Sequence, residues 1–564
     1  MKFNSPIPLS LLASALLLVG CGSESADTPT SAGTNTTQQP DQSSSPSSQR
    51  LTPQPFNFMA VTADNRKVKT LNMSWQSSQN ATSYEVCKKD SNGCSTLADN
   101  VRATSMSVDL AGDFIGDDSE FYVVAKNDTH DTKTLSNELT LQASDYQNAV
   151  GYFKATNAGE RDRFGKSGDI SFDGKTLLVG AVGESSGSAN TPNDDSTHDS
   201  GAAYIFKNIN GNWSQAYYLK AGSSISSSAE FGTRSELSDD GNIAAVTDRS
   251  NVHIYENGTY ITSFPFSKNQ GLALSGDGRT LFAGGTDIDS VNIYERNNSD
   301  GSWSKTHTIN NPAGFEPDRF KRDNFSASIA TNRNGSKVLI GANQEDSNST
   351  GINGDSANNL SANAGAAYVY TKNSGSWSQT AYIKPQIIDG WDHFGFSVYM
   401  HPTNDMLLIA ADGESSNATG FDGDKSDNSV SMAGAAYLFV PHKDNIYEQV
   451  GYFKSDNPKQ FSDFGRSLGM NEDASLIAIG ETMNDSGGGA GGVHLFTRAL
   501  DGSIAYQKTM GSPNGDGGDQ HGSFIRFSSK ALFVGAPNES SNSTVIQNGR
   551  NNNDLSQSGA AYLY

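Results

Sequence analysis

The chain has 564 residues, which is more than one ordinary domain holds and enough for two or three. Its 40 Lys and Arg residues against 62 Asp and Glu residues give a formal net charge of −22. An acidic chain without a basic stripe is a poor candidate for binding phosphate backbones, so no nucleic-acid partner is expected. Gly is abundant, at 57 residues, and apolar runs are short, which is typical of a loop-rich β protein.

Residues 1–21 predict an export signal that ends at a lipidated cysteine. An apolar run from Ile7 to Val19 follows Lys2 and is too short to span a membrane as a mature helix. The "LLVGC" that follows resembles a bacterial lipobox, which implies cleavage before Cys21 and attachment of lipid, palmitate included. The alternative is an ordinary signal peptide that contains a cysteine. By the same resemblance, Gly22 implies a lipid anchor in the outer membrane, on either its periplasmic or its surface face.

A tether and a small sandwich are predicted next. Residues 22–53 are mostly Ser, Thr, Gln, Pro and Asp, so they cannot bury a core and should form a flexible, disordered tether. Residues 54–143 contain about seven short alternating runs, which is typical of a two-sheet β-sandwich. Trp75, Tyr84 and the "FYVVAKND" of Phe121–Asp128 resemble a fibronectin type III domain, which implies a spacer or binding module.

Cys87 and Cys94 are the only cysteines besides Cys21. An exported chain meets an oxidising compartment, and the "DSNG" between the two residues can turn a hairpin. A local disulfide is therefore predicted. The spacing does not suit a zinc site, and no further cysteine is left to complete one.

From residue 148 to residue 564 the chain repeats a pattern of short strands. The clearest copies are "FGKSGDISFDGKTLLVGA" (Phe164–Ala181) with "GAAYIF", and "FGFSVYMHPTNDMLLIAA" (Phe394–Ala411) with "GAAYLF". Weaker copies begin at Phe231, Asn269, Phe325, Phe464 and His521. Seven units of about four strands predict an all-β fold with a seven-bladed β-propeller. The last unit lacks an outer strand, and the spare strand at 148–155 is expected to close the ring and remove its free edges.

These units resemble FG-GAP repeats, the propeller repeats of the integrin α-subunit head and of many bacterial surface proteins. The resemblance rests on the "FG" and "GAAY" elements over 148–564 and implies a propeller used in adhesion. Integrin-type blades that bind calcium carry a "DxDxDG" loop in the first hairpin. Here those hairpins read "SFDGKT", "LSDDGN", "LSGDGR" and "TNRNGS", so the calcium residues of the family cannot be carried over.

Four units share a long second loop of nearly constant length. From the Ala that ends the second strand to the Gly that opens the third, the distance is 20 residues in the first unit and 23 in the others. Each loop carries a Glu and an Asx pair, and each of these units has an Asp two positions before its opening aromatic or His521. The short-loop units have Ala229, Ser267 and Ser462 in place of that Asp. The recurring residues are Asp162, Glu184, Asp194 and Asp195; Asp323, Glu345, Asn358 and Asn359; Asp392, Glu414, Asp427 and Asn428; and Asp519, Glu539, Asn552 and Asn553.

Two explanations fit this set, which should lie at one face of the propeller. In the first, the side chains accept hydrogen bonds from the loop backbone and order the loops. In the second, their oxygens bind a hard cation, most plausibly Ca²⁺. In either case Glu414, Asp427 and Asn428 are expected to converge near Asp392. No other cofactor is predicted.

A catalytic site is not predicted. The "GESSG" at Gly183–Gly187 matches a nucleophile pattern, but it enters a long polar loop instead of a strand–turn–helix elbow. His198, His393 and His521 lie near the loop face without metal-ligand spacing. Trp213, Trp303 and Trp377 recur on the outer strands, where packing between blades is favoured over carbohydrate stacking.

The sequence therefore predicts a non-enzymatic envelope or surface lipoprotein that recognises a protein or polysaccharide through the long-loop face. One alternative is an envelope enzyme or enzyme-complex subunit that acts on glycans or phosphoesters. Another is a scaffold for envelope assembly.

Heat denaturation in excess Ca²⁺ and in chelator distinguishes the two explanations for the loop residues. If Ca²⁺ holds the loops, the midpoint is expected to fall in chelator, because a ligand that binds only the folded state stabilises it by mass action. An unchanged midpoint would rule out the cation.

Overall fold

Antiparallel strands make up nearly all of the regular structure. The computed structural model describes residues 50–564 except 91–92, 111–112, 223, 287–288, 315–321, 443–445 and 484–488. Within those residues 36 strands and one short helix follow one another, which confirms the prediction of a β protein at that level. The predicted signal, Cys21 and nearly all of the predicted tether lie outside the described residues. No helix in the described part is long and apolar enough to cross a membrane.

Eight strands precede the helix and form two sheets over one core. They are β1 (Phe58–Ala63), β2 (Thr70–Trp75), β3 (Ser83–Asp90), β4 (Gly93–Val101), β5 (Ser105–Asp109), β6 (Glu120–Asn127), β7 (Thr132–Leu135) and β8 (Leu139–Thr140). One sheet has the order β1-β2-β5, and the other has the order β4-β3-β6-β7, with β8 also paired to β6. Trp75 and Tyr84, one from each sheet, meet in the core with ring centroids 5.6 Å apart. A disulfide joins Cys87 and Cys94 across the β3–β4 hairpin, with Cα atoms 5.2 Å apart.

A short helix and a single strand lead into the repeat. Helix α1 spans Ala143–Ala149 and strand β9 spans Gly151–Phe153. The sequence pattern did not predict α1, because seven residues are too few for a helical period to emerge. Tyr146 of α1 packs against the core of the first two sheets and also against a cluster of the repeat.

The repeat forms seven antiparallel sheets of four strands each in the described residues. The first three sheets are β10 (Phe164–Ile170), β11 (Thr176–Ala181), β12 (Ala202–Ile209) and β13 (Asn212–Leu219); β14 (Ser235–Leu237), β15 (Ile243–Thr247), β16 (Asn251–Glu256) and β17 (Thr259–Pro265); and β18 (Leu272–Leu274), β19 (Thr280–Gly284), β20 (Ser290–Arg296) and β21 (Trp303–Asn310). The next three are β22 (Phe325–Thr331), β23 (Lys337–Ala342), β24 (Ala366–Asn373) and β25 (Ser376–Ile383); β26 (Phe394–Met400), β27 (Leu407–Ala411), β28 (Ala435–Pro441) and β29 (Tyr447–Phe453); and β30 (Phe464–Met470), β31 (Leu476–Glu481), β32 (Gly492–Arg498) and β33 (Ile504–Met510). The last consists of β34 (Ile525–Phe527), β35 (Leu532–Ala536), β36 (Ala560–Leu563) and the distant β9. We call them sheets 1 to 7 in this order.

The first strands of the seven sheets contact one another in a closed circuit. Each of β10, β14, β18, β22, β26, β30 and β34 touches the next, and β34 touches β10. This β-propeller-like arrangement brings backbones very close: a Cβ on Gly165, where φ is +90°, would stand 2.1 Å from the carbonyl oxygen of Ala560 in sheet 7. The spare strand of the sequence pattern is β9, which pairs with β36 through Tyr152 and Tyr562. It gives sheet 7 a fourth strand.

The two-sheet unit contacts the ring at the end opposite to the long loops. Lys69 is completely buried, and its ammonium group donates to the backbone oxygen of Tyr564 at 2.7 Å, just past the end of β36. Val68 packs in a cluster with Phe153 and Leu563. Asp118 accepts from Lys508 of sheet 6 at 2.8 Å. The Lys69 contact lies at the end of sheet 7 that is opposite to the long loops, whereas the Asp118 contact reaches the side of sheet 6 through its outer strand β33.

Candidate binding face

The long loops connect the second and third strands of sheets 1, 4, 5 and 7. They lie at the end of the ring where the first strands begin. At that end the Gly that opens a third strand bridges to the first residue of the next sheet, as Gly365 does to Phe394. We call this end the loop face.

Each loop glutamate is held in a buried ion pair. Glu414 is 4% exposed, and its Oε2 lies 2.5 Å from Nζ of Lys454. Lys454 directly follows β29, the fourth strand of sheet 5. The hydroxyl of Tyr452 donates to Oε1 of the same glutamate at 2.7 Å. The other three loops repeat the arrangement with N–O distances of 2.7 to 2.9 Å, in Glu184–Lys220–Tyr218, Glu345–Lys384–Tyr382 and Glu539–Lys154–Tyr152. Burial lowers the pKa of each lysine, and the paired glutamate opposes that shift.

The sequence contained a signal for these lysines that the loop alignment missed. A Tyr-x-Lys element ends the outer strand of every long-loop sheet, in "YLK", "YIK", "YFK" and "YFK". The short-loop sheets have Ser263 and Pro265, Thr308 and Asn310, or Thr509 and Gly511 at the paired positions. The lysine, the tyrosine, the glutamate and the long loop therefore occur together.

The buried aspartates accept hydrogen bonds close to the glutamates. Oδ2 of Asp392 accepts the backbone N–H of Asp389 at 2.8 Å, and Asp162 and Asp519 do the same with the residue three positions earlier. Asp323 instead accepts from the side-chain amide of Asn311 at 2.8 Å. Burial, with a further contribution from the neighbouring glutamate charge, raises the pKa of Asp162 and Asp392 to about 7. The pKa values of Asp323 and Asp519 rise to about 6 for the same reasons.

The Asx pairs order the tips of the loops. Oδ1 of Asp427 accepts the backbone N–H of Asn417 at 2.9 Å, and Asn358 and Asn552 cap their own loops in the same way. Asp194 accepts the backbone N–H of Ser196 at 3.2 Å. The second members Asn428 and Asn553 donate to the side chains of Asp389 and Asp516, whereas Asp195 and Asn359 are exposed.

The expected convergence on Asp392 occurs only in part. Its pKa responds to the charge of Glu414, so these two residues are near each other, but Glu414 binds Lys454 and Asn428 reaches Asp389. A buried lysine already neutralises each glutamate, so the set does not fit a cation site built on the glutamates. In the described residues, the only three His, Cys, Asp or Glu ligand atoms close enough to share a metal belong to Glu85, Cys87 and Cys94. The geometry supports hydrogen-bonded loop ordering.

The "GESSG" serine also orders its loop. Ser185 donates to the carbonyl oxygen of Gly183 at 3.0 Å and accepts the backbone N–H of Asp199 at 3.1 Å. Ser415 and Ser540 make the same pair of contacts in sheets 5 and 7. The nucleophile pattern is therefore a repeated turn element.

Buried histidines replace the third-strand tyrosine in two short-loop sheets. His253 lies 2.9 Å from Asp248, and His494 lies 2.7 Å from Glu481, with both rings almost fully buried. Of the histidines selected from the sequence, His521 is buried against Tyr564, and burial lowers its pKa to about 3. His198 and His393 pair with Asp199 and Asp412.

Two large aromatic side chains are exposed on the loop face. Trp391 is 61% exposed and Phe461 is 54% exposed, in the connections that lead into sheets 5 and 6. Both backbones are left-handed, with φ of 72° and 60°, a conformation that costs a bulky residue about 1–3 kcal/mol. By contrast, Trp213 and Trp377 pack against Phe153 and Phe282 of neighbouring sheets. Trp303 is half-buried against the core of sheets 2 and 3.

The same face holds a polar cleft beside the last long loop. Its volume is about 430 Å³, and it is lined by carboxylates and amides that include Asp516, Asp519, Asn538 and Asn553.

Comparisons with known proteins add little about activity. No family model matches the chain, and no curated protein matches it. Among solved structures, the β-propeller domain of Cps50 (Swd1) from Myceliophteria thermophila is 11% identical, with 73% of this chain and 98% of that chain covered and a TM-score of 0.43. The periplasmic gluconolactonase PpgL of Pseudomonas aeruginosa is 12% identical, with coverages of 72% and 96% and a TM-score of 0.40. Hydrazine synthase of Kuenenia stuttgartiensis is 9% identical, with coverages of 68% and 94% and a TM-score of 0.41. TM-scores below 0.5 carry no argument about function.

Substitution of Lys454 by Met is expected to destabilise the fold by about 3–5 kcal/mol, because it leaves Glu414 buried without a counter-charge. The double variant Lys454→Met with Glu414→Gln should recover most of that loss, since Gln can still accept from Tyr452. The free energy of unfolding in urea measures both. Lys175→Met, at an exposed lysine, is the matched control. An equal effect of K454M and K175M would contradict the anchoring role.

Substitution of Asp392 by Asn is expected to stabilise the protein more at pH 8 than at pH 5. The folded-state pKa of Asp392 is raised, so the stability it contributes is present at low pH and is lost as pH rises through about 7. An uncharged Asn keeps the hydrogen bond from Asp389 without that loss, and a shift of this size corresponds to on the order of 2–4 kcal/mol. Urea unfolding at both pH values, in chelator, measures the difference. Asp427→Asn, at a half-buried loop residue whose pKa is lowered, should show no such gain at pH 8. A pH-independent effect of D392N would count against the assignment.

Proposed function

We propose that residues 148–564 form a seven-bladed, FG-GAP-like β-propeller and that residues 54–143 form a fibronectin type III-like sandwich. The closed circuit of first strands, with β9 completing sheet 7, supports the propeller. The three-stranded and four-stranded sheets packed over one core, with Trp75 and Tyr84 between them, support the sandwich.

The chain is proposed to be exported and held at the outer membrane by lipid on Cys21, with residues 22–53 as the tether. Its membrane partner would then be reached through that lipid. The sandwich contacts the ring at the end opposite to the loop face, through Lys69 and Tyr564.

The function proposed for this face is non-enzymatic recognition of a polysaccharide or protein. The observation that carries the proposal is the exposure of Trp391 and Phe461 beside loops that are fixed by buried ion pairs. Rigid loops lose little conformational entropy when a ligand binds, and exposed aromatic rings supply contact area at low entropic cost.

A binding role is preferred to the enzymatic alternative because the unusual side chains follow the repeat. An enzyme would be expected to show a constellation in one sheet that departs from the others. His253 and His494 instead occupy equivalent buried positions in two sheets, His253 beside Asp248 and His494 beside Glu481 and Asp456. The loop serines likewise recur as turn elements.

Alanine substitution of Trp391 and Phe461 tests the proposed face. On a glycan and protein array, a ligand bound by the wild type should bind at least tenfold more weakly to the double variant, since each ring contributes on the order of 1–2 kcal/mol of contact. Leu500→Ala, at a fully exposed residue in the β32–β33 turn on the opposite face, is the control. Unchanged binding by W391A/F461A, or an equal loss in L500A, would exclude this face.

A further inference from the structure

Three cationic side chains occupy equivalent positions in the first strands of their sheets, which places them at the same height along the ring axis. Lys166, Arg234 and Arg466 each directly precede a serine of the repeat, in sheets 1, 2 and 6. The serines at this level bind the next sheet: Ser167 donates to the carbonyl oxygen of Gly232, and Ser467 to that of Gly522, both at 2.7 Å. In sheets 3, 4, 5 and 7 the strand register places other residues at the position equivalent to Lys166, and none of them is acidic. They are Gln270, Ala327, Phe396 and Ser523. The level is therefore positively charged around the ring axis.

The three cations are close enough to affect one another. Burial, together with the charges of Arg466, Arg163 and Arg234, lowers the pKa of Lys166 to about 8. Burial lowers the pKa of Arg234 to about 10, and Arg466 again contributes. Sheets 2 and 6 are not neighbours, so Arg234 and Arg466 approach each other across the axis. All three side chains are half-buried.

These cations lack the carboxylate partners that the other axial arginines have. In the described residues, Lys166 and Arg234 form no ion pair, and the buried Nε of Arg234 has no hydrogen-bond partner. Arg466 has only Asp463, at 3.8 Å, and that carboxylate also accepts from Thr482 at 2.7 Å. Farther along the axis, Arg526 binds Glu236 at 2.9 Å and Arg333 binds Glu472 through two contacts of 3.2 Å. Among the described axial residues, the cations nearer the loop face therefore outnumber their carboxylates, whereas the charges of the layer below are paired.

We propose that Lys166, Arg234 and Arg466 form an anion site at the loop end of the ring axis, which binds a carboxylate or sulfate group of an acidic polysaccharide. This inference deepens the proposed function and rests on it. Arg466 lies 5.8 Å over the half-buried ring of Phe396, so one aromatic ring borders the cations. The exposed Phe461 precedes Arg466 by five positions in the connection that leads into the same sheet. Sugar rings stack on aromatic faces, and guanidinium groups bind planar anions through paired donors. The combination favours an acidic polysaccharide over an acidic peptide.

The acidic character of the whole chain does not oppose this site. At physiological ionic strength, exposed charges farther apart than about 8 Å are largely screened. An anion at the axis therefore responds to the three nearby cations more than to the net charge of −22. Unpaired cations held close together also destabilise the free protein, which is the expected cost of a preorganised site.

Binding of the full chain to defined polymers tests the site. The probes are polygalacturonate for carboxylate, dextran sulfate for sulfate, neutral dextran, and poly-L-glutamate for an acidic peptide. The wild type is expected to bind one or both acidic polysaccharides, and Arg234→Gln with Arg466→Gln should weaken that binding at least tenfold and reduce its salt dependence. Arg279→Gln, at an exposed arginine on the opposite face, should change nothing. Stronger binding to poly-L-glutamate, or equal binding to neutral dextran, would overturn the proposal.

The outcome for the face and the outcome for the anion site can be told apart. If W391A/F461A loses ligand while R234Q/R466Q binds like the wild type, the face is retained and the anion site is rejected. If neither variant loses ligand, both proposals fail.

A ligand-free measurement shows whether the variants fold. Without ligand, R234Q/R466Q and the single variant Lys166→Gln should melt at a higher temperature than the wild type, because repulsion among the cations is relieved. Sulfate should raise the midpoint of the wild type more than chloride at equal ionic strength, and this difference should shrink in the variants. Lower midpoints in both variants would give the cations a structural role and would overturn the anion site.

Discussion

The pairing of β9 with β36 is the interaction on which the rest of the ring depends. Sheet 7 has the order β34-β35-β36-β9, so without β9 the strand β36 would present an unpaired edge. The stretch that contains β9 also carries Tyr152 and, just beyond the strand, Lys154, which hold Glu539 of the last long loop. One segment therefore closes the sheet and anchors a loop of the loop face. Through α1 and Tyr146 it is also continuous with the sandwich.

Buried charge is used in two different ways in this protein. Each glutamate of the long loops is paired with a lysine, and a tyrosine hydroxyl occupies the second carboxylate oxygen. Removal of the glutamate or the lysine would leave an uncompensated charge in the interior. The ion pair therefore holds each long loop in one conformation. The axial cations are the opposite case, because their charges are close together and largely unpaired. The paired charges of the glutamates and lysines make the long loops rigid. The unpaired charges of the axial cations would attract an anion.

The loop face combines rigid, polar loops with a few exposed aromatic rings. Asp and Asn side chains of the loops accept hydrogen bonds from the loop backbone, as Asp427 and Asn552 show. Trp391 and Phe461 are displayed on strained backbone next to them. The total charge of the chain gave no hint of the cation cluster, because net charge sums over the surface whereas an electrostatic site depends on local distances.

The sequence by itself determined the β class, the number of repeat units, the spare strand at 148–155, and which four units carry matched loops. These features are periodic, so they can be read from spacing alone. It also contained the Tyr-x-Lys element, although the aligned loops drew attention to their own carboxylates. Only the tertiary structure decided that Glu414 pairs with Lys454, which lies 40 positions farther along the chain, and that Asp392 is buried beside that pair. Only the tertiary structure brought Arg234 and Arg466 together, because residues of non-adjacent sheets meet only when the ring closes around its axis. Spacing along a chain can show which residues recur, but the partner of a charge depends on the packing between elements.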